Sequence, residues 1–177
     1  MRKLLILSCI LMTATTTLGQ EAATNSASNP LSDFNKRAFG QMKDWITRSA
    51  EKMPEEQYSF KPTEAVRSYG QIIGHVADVQ YMFCSTVRGE KNPGLKIEQT
   101  RKTKAELITA LKEAFAYCDQ AYETMTDATG NQIVKLGRLD TPKLSVLSVN
   151  IAHSALHYGN LVTYMRLKNL VPPSSER

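Results

Sequence analysis

The sequence predicts an all-α protein built as a four-helix bundle. Four long segments repeat apolar residues at helical spacing. Two of these segments open on a capping box, Ser68 with Gln71 and Thr103 with Glu106. No set of alternating apolar and polar runs offers a convincing sheet.

The first residues stand apart from the fold. Arg2 and Lys3 form a basic start, Leu4 to Met12 is an apolar stretch, and Thr13 to Thr17 is a run of small residues. Thr17 and Gly19 then supply small residues where a signal peptidase reads, so residues 1–19 are expected to be a signal peptide. The apolar stretch is too short to span a bilayer. Ile6-Leu7-Ser8-Cys9 faintly resembles a lipoprotein acceptor site, but a cut there would leave almost no apolar region. The mature protein is therefore expected to be exported, periplasmic or extracellular, with no stable membrane insertion. Residues 20–29 are Gln, Ala, Ser, Thr and Asn with one Glu, which reads as a flexible leader. Residues 30–173 are expected to form one domain, and residues 174–177 a tail.

The first helix is expected over Pro30 to Lys52. Pro30 suits a first turn, and Pro54 prevents continuation. Leu31, Phe34, Ala38, Met42, Trp45 and Ile46 make its apolar face. In the loop that follows, Tyr58 and Phe60 are expected to tuck onto the end of the bundle. The second helix starts after Ser68 and ends at Gly89. Its apolar residues, Ile72, Ile73, Val76, Val79, Tyr81, Met82, Phe83 and Val87, are too many for a narrow stripe, so it is expected to be buried on most sides. Glu90 to Arg101 is a charged connector, longer than an ordinary antiparallel turn.

The third helix runs from Thr103 to about Met125 with Leu107, Leu111, Ala114, Phe115, Cys118 and Tyr122 inward. Asp127 to Asp140 holds two glycines, and Ile133-Val134 could form a short extended piece. The fourth helix runs from about Pro142 to Lys168, where Leu144, Leu147, Ile151, Ser154, Ala155, Leu161 and Tyr164 surround two histidines. Pro172-Pro173 stops it.

Charge excludes one class of partner. The chain carries 22 basic and 17 acidic residues; without Arg2 and Lys3 this is 20 against 17, a net charge of +3. The basic residues are scattered and not interleaved with aromatics, so nucleic-acid binding is not indicated. Beyond the first 19 residues, two cysteines remain, Cys84 and Cys118. Export permits one disulfide between them; two buried free thiols satisfy the sequence equally well.

The three histidines are the richest chemical signal. His153 and His157 are four residues apart, hence on one face of a helix, one turn apart. His75 lies in the second helix. Two imidazoles at that spacing can grip one ion, and a third from a facing helix completes a set of three nitrogens with a coordination position left open. A lone helical histidine is more often a core or surface residue than a ligand, so the reading requires all three to face inward.

Several stretches together resemble the DinB-like superfamily of metal-dependent proteins. They are Tyr58-Ser59-Phe60-Lys61-Pro62-Thr63, then Ser68-Tyr69-Gly70-Gln71-Ile72-Ile73-Gly74-His75-Val76-Ala77-Asp78. Near the end come His153-Ser154-Ala155-Leu156-His157-Tyr158-Gly159-Asn160-Leu161, Tyr164-Met165-Arg166-Leu167 and Val171-Pro172-Pro173. The resemblance spans roughly Asp33 to Pro173. It implies up-down-down-up helix order and a divalent metal, zinc, nickel or iron, on His75, His153 and His157. Relatives include thiol-dependent transferases and isomerases. The chain departs from the commoner His-Arg-Gly-Gln ending, having His157-Tyr158-Gly159-Asn160, which bears on contacts behind the ligands.

Among the neighbours, Asp78 is one turn from His75. It is the one carboxylate expected near the metal, as a general base or an imidazole partner, with ordinary polar pairing as its alternative role. Tyr158 reads as structural and Arg166 as a salt-bridge or capping residue. Gly74 and Gly159, in mid-helix, would be explained by close helix approach or by access to the metal. If the second and third helices run parallel, Cys84 and Cys118 lie at similar heights, sixteen residues beyond Ser68 and fifteen beyond Thr103. The connector, about 43 Å when extended, can retrace a helix of about 30 Å.

Two functions follow as expectations. One is a metal-dependent hydrolase or thiol transferase acting on a small molecule; export fits hydrolysis better, because low-molecular-weight thiols are normally kept inside the cell. The other is a non-catalytic bundle binding metal or ligand, with an empty hydrogen-bonded histidine cluster as a further alternative. A homodimer is permitted.

Overall fold

The computed structural model describes residues 28–176. The expected signal peptide, most of the expected leader and Arg177 lie outside the described residues. Helix α1 spans Pro30–Lys52, α2 Tyr69–Arg88, a short α3 Ile97–Thr100, α4 Lys104–Glu123, a short α5 Asp127–Gly130 and α6 Lys143–Leu167. Strands β1, Ile133–Leu136, and β2, Leu139–Pro142, form an antiparallel hairpin before α6. Its tight turn uses Gly137 at φ 61°. Among the described residues no helix is long and apolar enough to cross a membrane.

The long helices α1, α2, α4 and α6 make the bundle, and side-chain pairs give their directions. Asn35 faces Ser148 and Trp45 faces Tyr158, so α1 and α6 run parallel. A Cβ on Gly70 would touch Leu107, and Cys84 is bonded to Cys118, so α2 and α4 also run parallel. Lys43 pairs with Asp119, and Lys104 reaches the carbonyl of Met53, so α1 opposes α4. The order is up, down, down, up, as expected. The disulfide was one of two open readings; the cysteine Cα atoms stand 5.3 Å apart.

Local chemistry explains the helix ends. Both predicted capping boxes form, and Gly89 closes α2 in the left-handed conformation at φ 70°. The last turn of α1 is sealed by two phenols from beyond it. Tyr58 donates to the carbonyl of Ala50 at 2.6 Å and Tyr69 to that of Ser49 at 2.8 Å. The Ala50 carbonyl is one that the helix end would otherwise leave unpaired, because residue 54 is proline, whereas that of Ser49 also accepts the Met53 N–H. At the start of α1, the N–H groups of Leu31 and Ser32 donate to Asp127.

The expected apolar faces need correction. The buried ridge of α1 is Ser32, Asn35, Phe39, Met42, Ile46, Ser49 and Ala50, while Leu31 and Phe34 are 61% and 64% exposed. The apolar stripe drifts off the core there because Asn35 is satisfied inside, donating to the Leu31 carbonyl and accepting from the Ser148 hydroxyl. Met82 and Ala155 are also exposed. The charged connector carries α3, whose Ile97 is 1% exposed.

The middle of the bundle is polar at one level. Asn150 donates to Gln80 at 2.8 Å and to the Tyr122 oxygen at 3.2 Å; Gln80 donates to Ser154, and Tyr122 donates to the carbonyl of Leu147. This network ties α2, α4 and α6 one turn from His153, and burial pushes the Tyr122 phenol far above its usual range. Paired buried polar groups fix relative helix register.

Candidate metal centre

His75 projects from α2, and His153 and His157 project from the facing side of α6. Their ring centroids lie 4.5–5.2 Å apart. Nε2 of His153 is 3.2 Å from Nε2 of His75 and 3.2 Å from Nε2 of His157. One nitrogen from each ring lies within 4.8 Å of the other two, a group that could hold one metal ion. Three nitrogens bound tetrahedrally to one ion at about 2.0–2.1 Å stand roughly 3.3–3.4 Å from each other, so the spacing fits a shared cation. Hydrogen bonding alone fits less well. A ring nitrogen either donates or accepts, and Nε2 of His153 meets two like nitrogens at once.

The rings are held neutral, which is the form that binds metal. Burial first, then the neighbouring imidazoles and the Arg67 guanidinium, lower the pKa of His153 and of His157 from 6.5 to about 4. Burial and Arg67 also lower that of His75, against the opposing pull of Glu98 and Asp78. A protonated ring here would lose hydration and meet like charge.

The carboxylate at the histidines is not the expected one. Asp78 uses both oxygens elsewhere, accepting the N–H of Ile97 at 2.7 Å and of Glu98 at 3.0 Å. It caps α3. Glu98, which α3 carries, places Oε2 3.2 Å from Nδ1 of His75. A proton held on Nδ1 leaves the Nε2 lone pair turned toward the other two rings, the usual partnership behind a metal-bound imidazole. Nδ1 of His153 and Nδ1 of His157 are buried without a protein partner.

Gly74 makes the approach of α3 possible. A Cβ there would sit 2.6 Å from Cα and 2.9 Å from N of Glu98. Gly159 has no such neighbour within 4 Å, so close approach does not account for it. Sequence spacing could not reveal Glu98, twenty-three residues from its histidine. The signals present were Gly74 in mid-helix and Ile97, an apolar residue within a charged connector.

Glu98 is braced in turn. Its Oε1 accepts from Nε of Arg67 at 2.9 Å, and the Arg67 carbonyl accepts the Tyr164 hydroxyl at 2.9 Å. Arg67, Glu98 and His157 line a cleft of about 760 Å³ between the 61–67 loop and α6. Tyr158 is structural: it stacks on Trp45 and accepts the N–H of Ser174. Arg166 donates to the Ser175 hydroxyl at 2.9 Å.

Fold and site together define a class: a helical bundle with three histidines from two facing helices that could hold a metal ion beside an open cleft. The sequence matches the DinB superfamily over residues 39–161, and the chain belongs to that superfamily. It is 25% identical over 120 residues to the uncharacterised protein YjoA of Bacillus subtilis, covering 66% of this chain and 77% of that one. The crystal structure of YjoA has a TM-score of 0.65 at 19% identity, covering 81% and 99% of the two chains. A DinB-like protein from Bacillus cereus gives 0.70 at 15% identity, covering 80% and 95%. The mycothiol-dependent maleylpyruvate isomerase gives 0.63 at 15% identity, covering 75% of this chain and 60% of that one. At these identities the structural likeness speaks for the fold alone.

Proposed function

We propose that this chain is an exported metal-dependent enzyme whose divalent ion, zinc, nickel or iron, is held by His75, His153 and His157. The observation that carries this reading is the 3.2 Å approach of His153 Nε2 to both other Nε2 atoms. When bound, a divalent ion supplies Lewis acidity, making water or a thiol acidic enough to act as a nucleophile near neutral pH. The protein's own part is to fix three neutral rings, to orient His75 through Glu98, and to admit a small molecule along the cleft.

Hydrolysis suits the export reading best. That reading rests on the basic and apolar start of the chain and is supported by the Cys84–Cys118 disulfide, which persists in oxidising compartments. Thiol transfer is the second reading, prompted by the mycothiol-dependent isomerase that shares the fold. A non-catalytic metal-binding bundle is the alternative; a cleft that reaches His157 favours chemistry over a closed structural site.

The test is metal analysis of untagged protein together with zinc titration of the wild type and of His153→Ala. One divalent ion per chain is expected, with affinity lost in the variant. Wild-type protein that binds no divalent ion would end the proposal.

A further inference from the structure

Arg67 stands in the cleft with part of its hydrogen-bonding capacity unused. Its Nε is committed to Glu98 and its carbonyl to Tyr164. Nη1 and Nη2 have no hydrogen-bond partner among the described residues, and the side chain is 45% exposed. A guanidinium held by Nε and by its own backbone is pre-organised, and its outer edge is a planar fork with the geometry of a carboxylate. Ordering Arg67 before a ligand arrives removes part of the entropy cost of binding it.

The charge around this fork is balanced. Lys61 pairs with Glu64, and Arg67 with Glu98. The bare cleft therefore has little net pull on an anion, and a divalent ion on the histidines would supply all of its net positive charge. The cleft lining also includes Val66 and Ile72, apolar side chains suited to a short carbon skeleton. The cleft volume is within the usual range for small-molecule sites.

We propose that the cleft takes a small carboxylate-bearing molecule, its carboxylate gripped by Nη1 and Nη2 of Arg67 and its second polar group facing the metal site on the side of His157. This inference rests on the metal reading above and names the substrate class of that site. It makes Arg67 a binding residue for substrate rather than only a brace for Glu98.

The experiment uses the full chain loaded with saturating zinc. Calorimetric titration compares acetate, which has one carboxylate, with malonate, succinate and glutarate, whose two carboxylates span increasing lengths. Zinc affinity is measured separately for the wild type and for Arg67→Gln. At least one dicarboxylate is expected to bind zinc-loaded wild type tenfold or more tighter than acetate. Arg67→Gln, titrated at saturating zinc, is expected to lose that advantage. Wild type that binds zinc but prefers no dicarboxylate would overturn the inference while leaving the metal reading intact. So would an Arg67→Gln protein that keeps the preference. Failure of wild type to bind zinc is a separate result and would overturn both.

Discussion

Gly74→Ala tests how the connector governs the histidines. An ordinary carbon–carbon contact is about 3.5–4.0 Å, and the new Cβ would lie 2.6 Å from the Cα of Glu98. The obstacle is backbone, so α3 must retreat by roughly 1 Å. The Glu98–His75 contact, already 3.2 Å, then passes beyond hydrogen-bond reach. Loss of such a partner behind a ligating histidine typically costs 10–100-fold in metal affinity. Global stability should fall by about 0–2.5 kcal/mol. Alanine gains about 0.5–1 kcal/mol of helix propensity over glycine, offsetting part of an overpacking cost of about 1–3 kcal/mol.

Gly159→Ala is the internal control: with nothing within 4 Å, it should gain the propensity and leave the metal alone. The assay is zinc competition against a chromophoric chelator, paired with thermal unfolding of metal-free protein. Unchanged zinc affinity in Gly74→Ala, with unfolding shifted no more than in Gly159→Ala, would refute the positioning of His75 by α3.

Other expectations follow from the same structure. Asp78→Ala removes the acceptor of two backbone N–H groups and should loosen α3 by about 1–2 kcal/mol; hydrogen exchange at Ile97 and Glu98 that stays as slow as in wild type would contradict this. The folded-state pKa values of His153 and His157 lie near 4, below the ordinary 6.5, so the unfolded chain takes up protons first as pH falls. Metal-free protein should therefore lose stability as pH drops from about 6.5 to about 4, and the double variant His153→Gln, His157→Gln should show a shallower loss when unfolding is followed by pH. Equal slopes would reject the two histidines as the source. Replacing Cys84 and Cys118 by alanine opens a link across 34 residues and should lower stability by about 3–4 kcal/mol in the chain-entropy picture, read from denaturant midpoints. An unchanged midpoint would mean that the disulfide adds nothing to the packed bundle.

The sequence by itself determined the four long helices, because apolar period and capping boxes are local signals that neighbouring residues write together. It also singled out the three histidines, since the spacing of His153 and His157 is geometry within one helix. The parallel pairing of α2 and α4 was permitted by the long connector and implied by the family resemblance, and matching heights for the two cysteines followed from it. Tertiary structure decided what lies behind the ligands. Asp78 is one turn from His75, so sequence proximity pointed to it, but helix direction gives its carboxylate to the backbone of α3. Glu98 arrives from a different segment, through a contact that exists only because Gly74 has no side chain. The face of α1 went the same way: Leu31 and Phe34 fit an apolar stripe, yet the core took Ser32 and Asn35, because their hydrogen bonds are satisfied by Asp127 and Ser148. A helix records its own period in its sequence, whereas the partners that satisfy a buried polar group are brought together only by packing of distant segments.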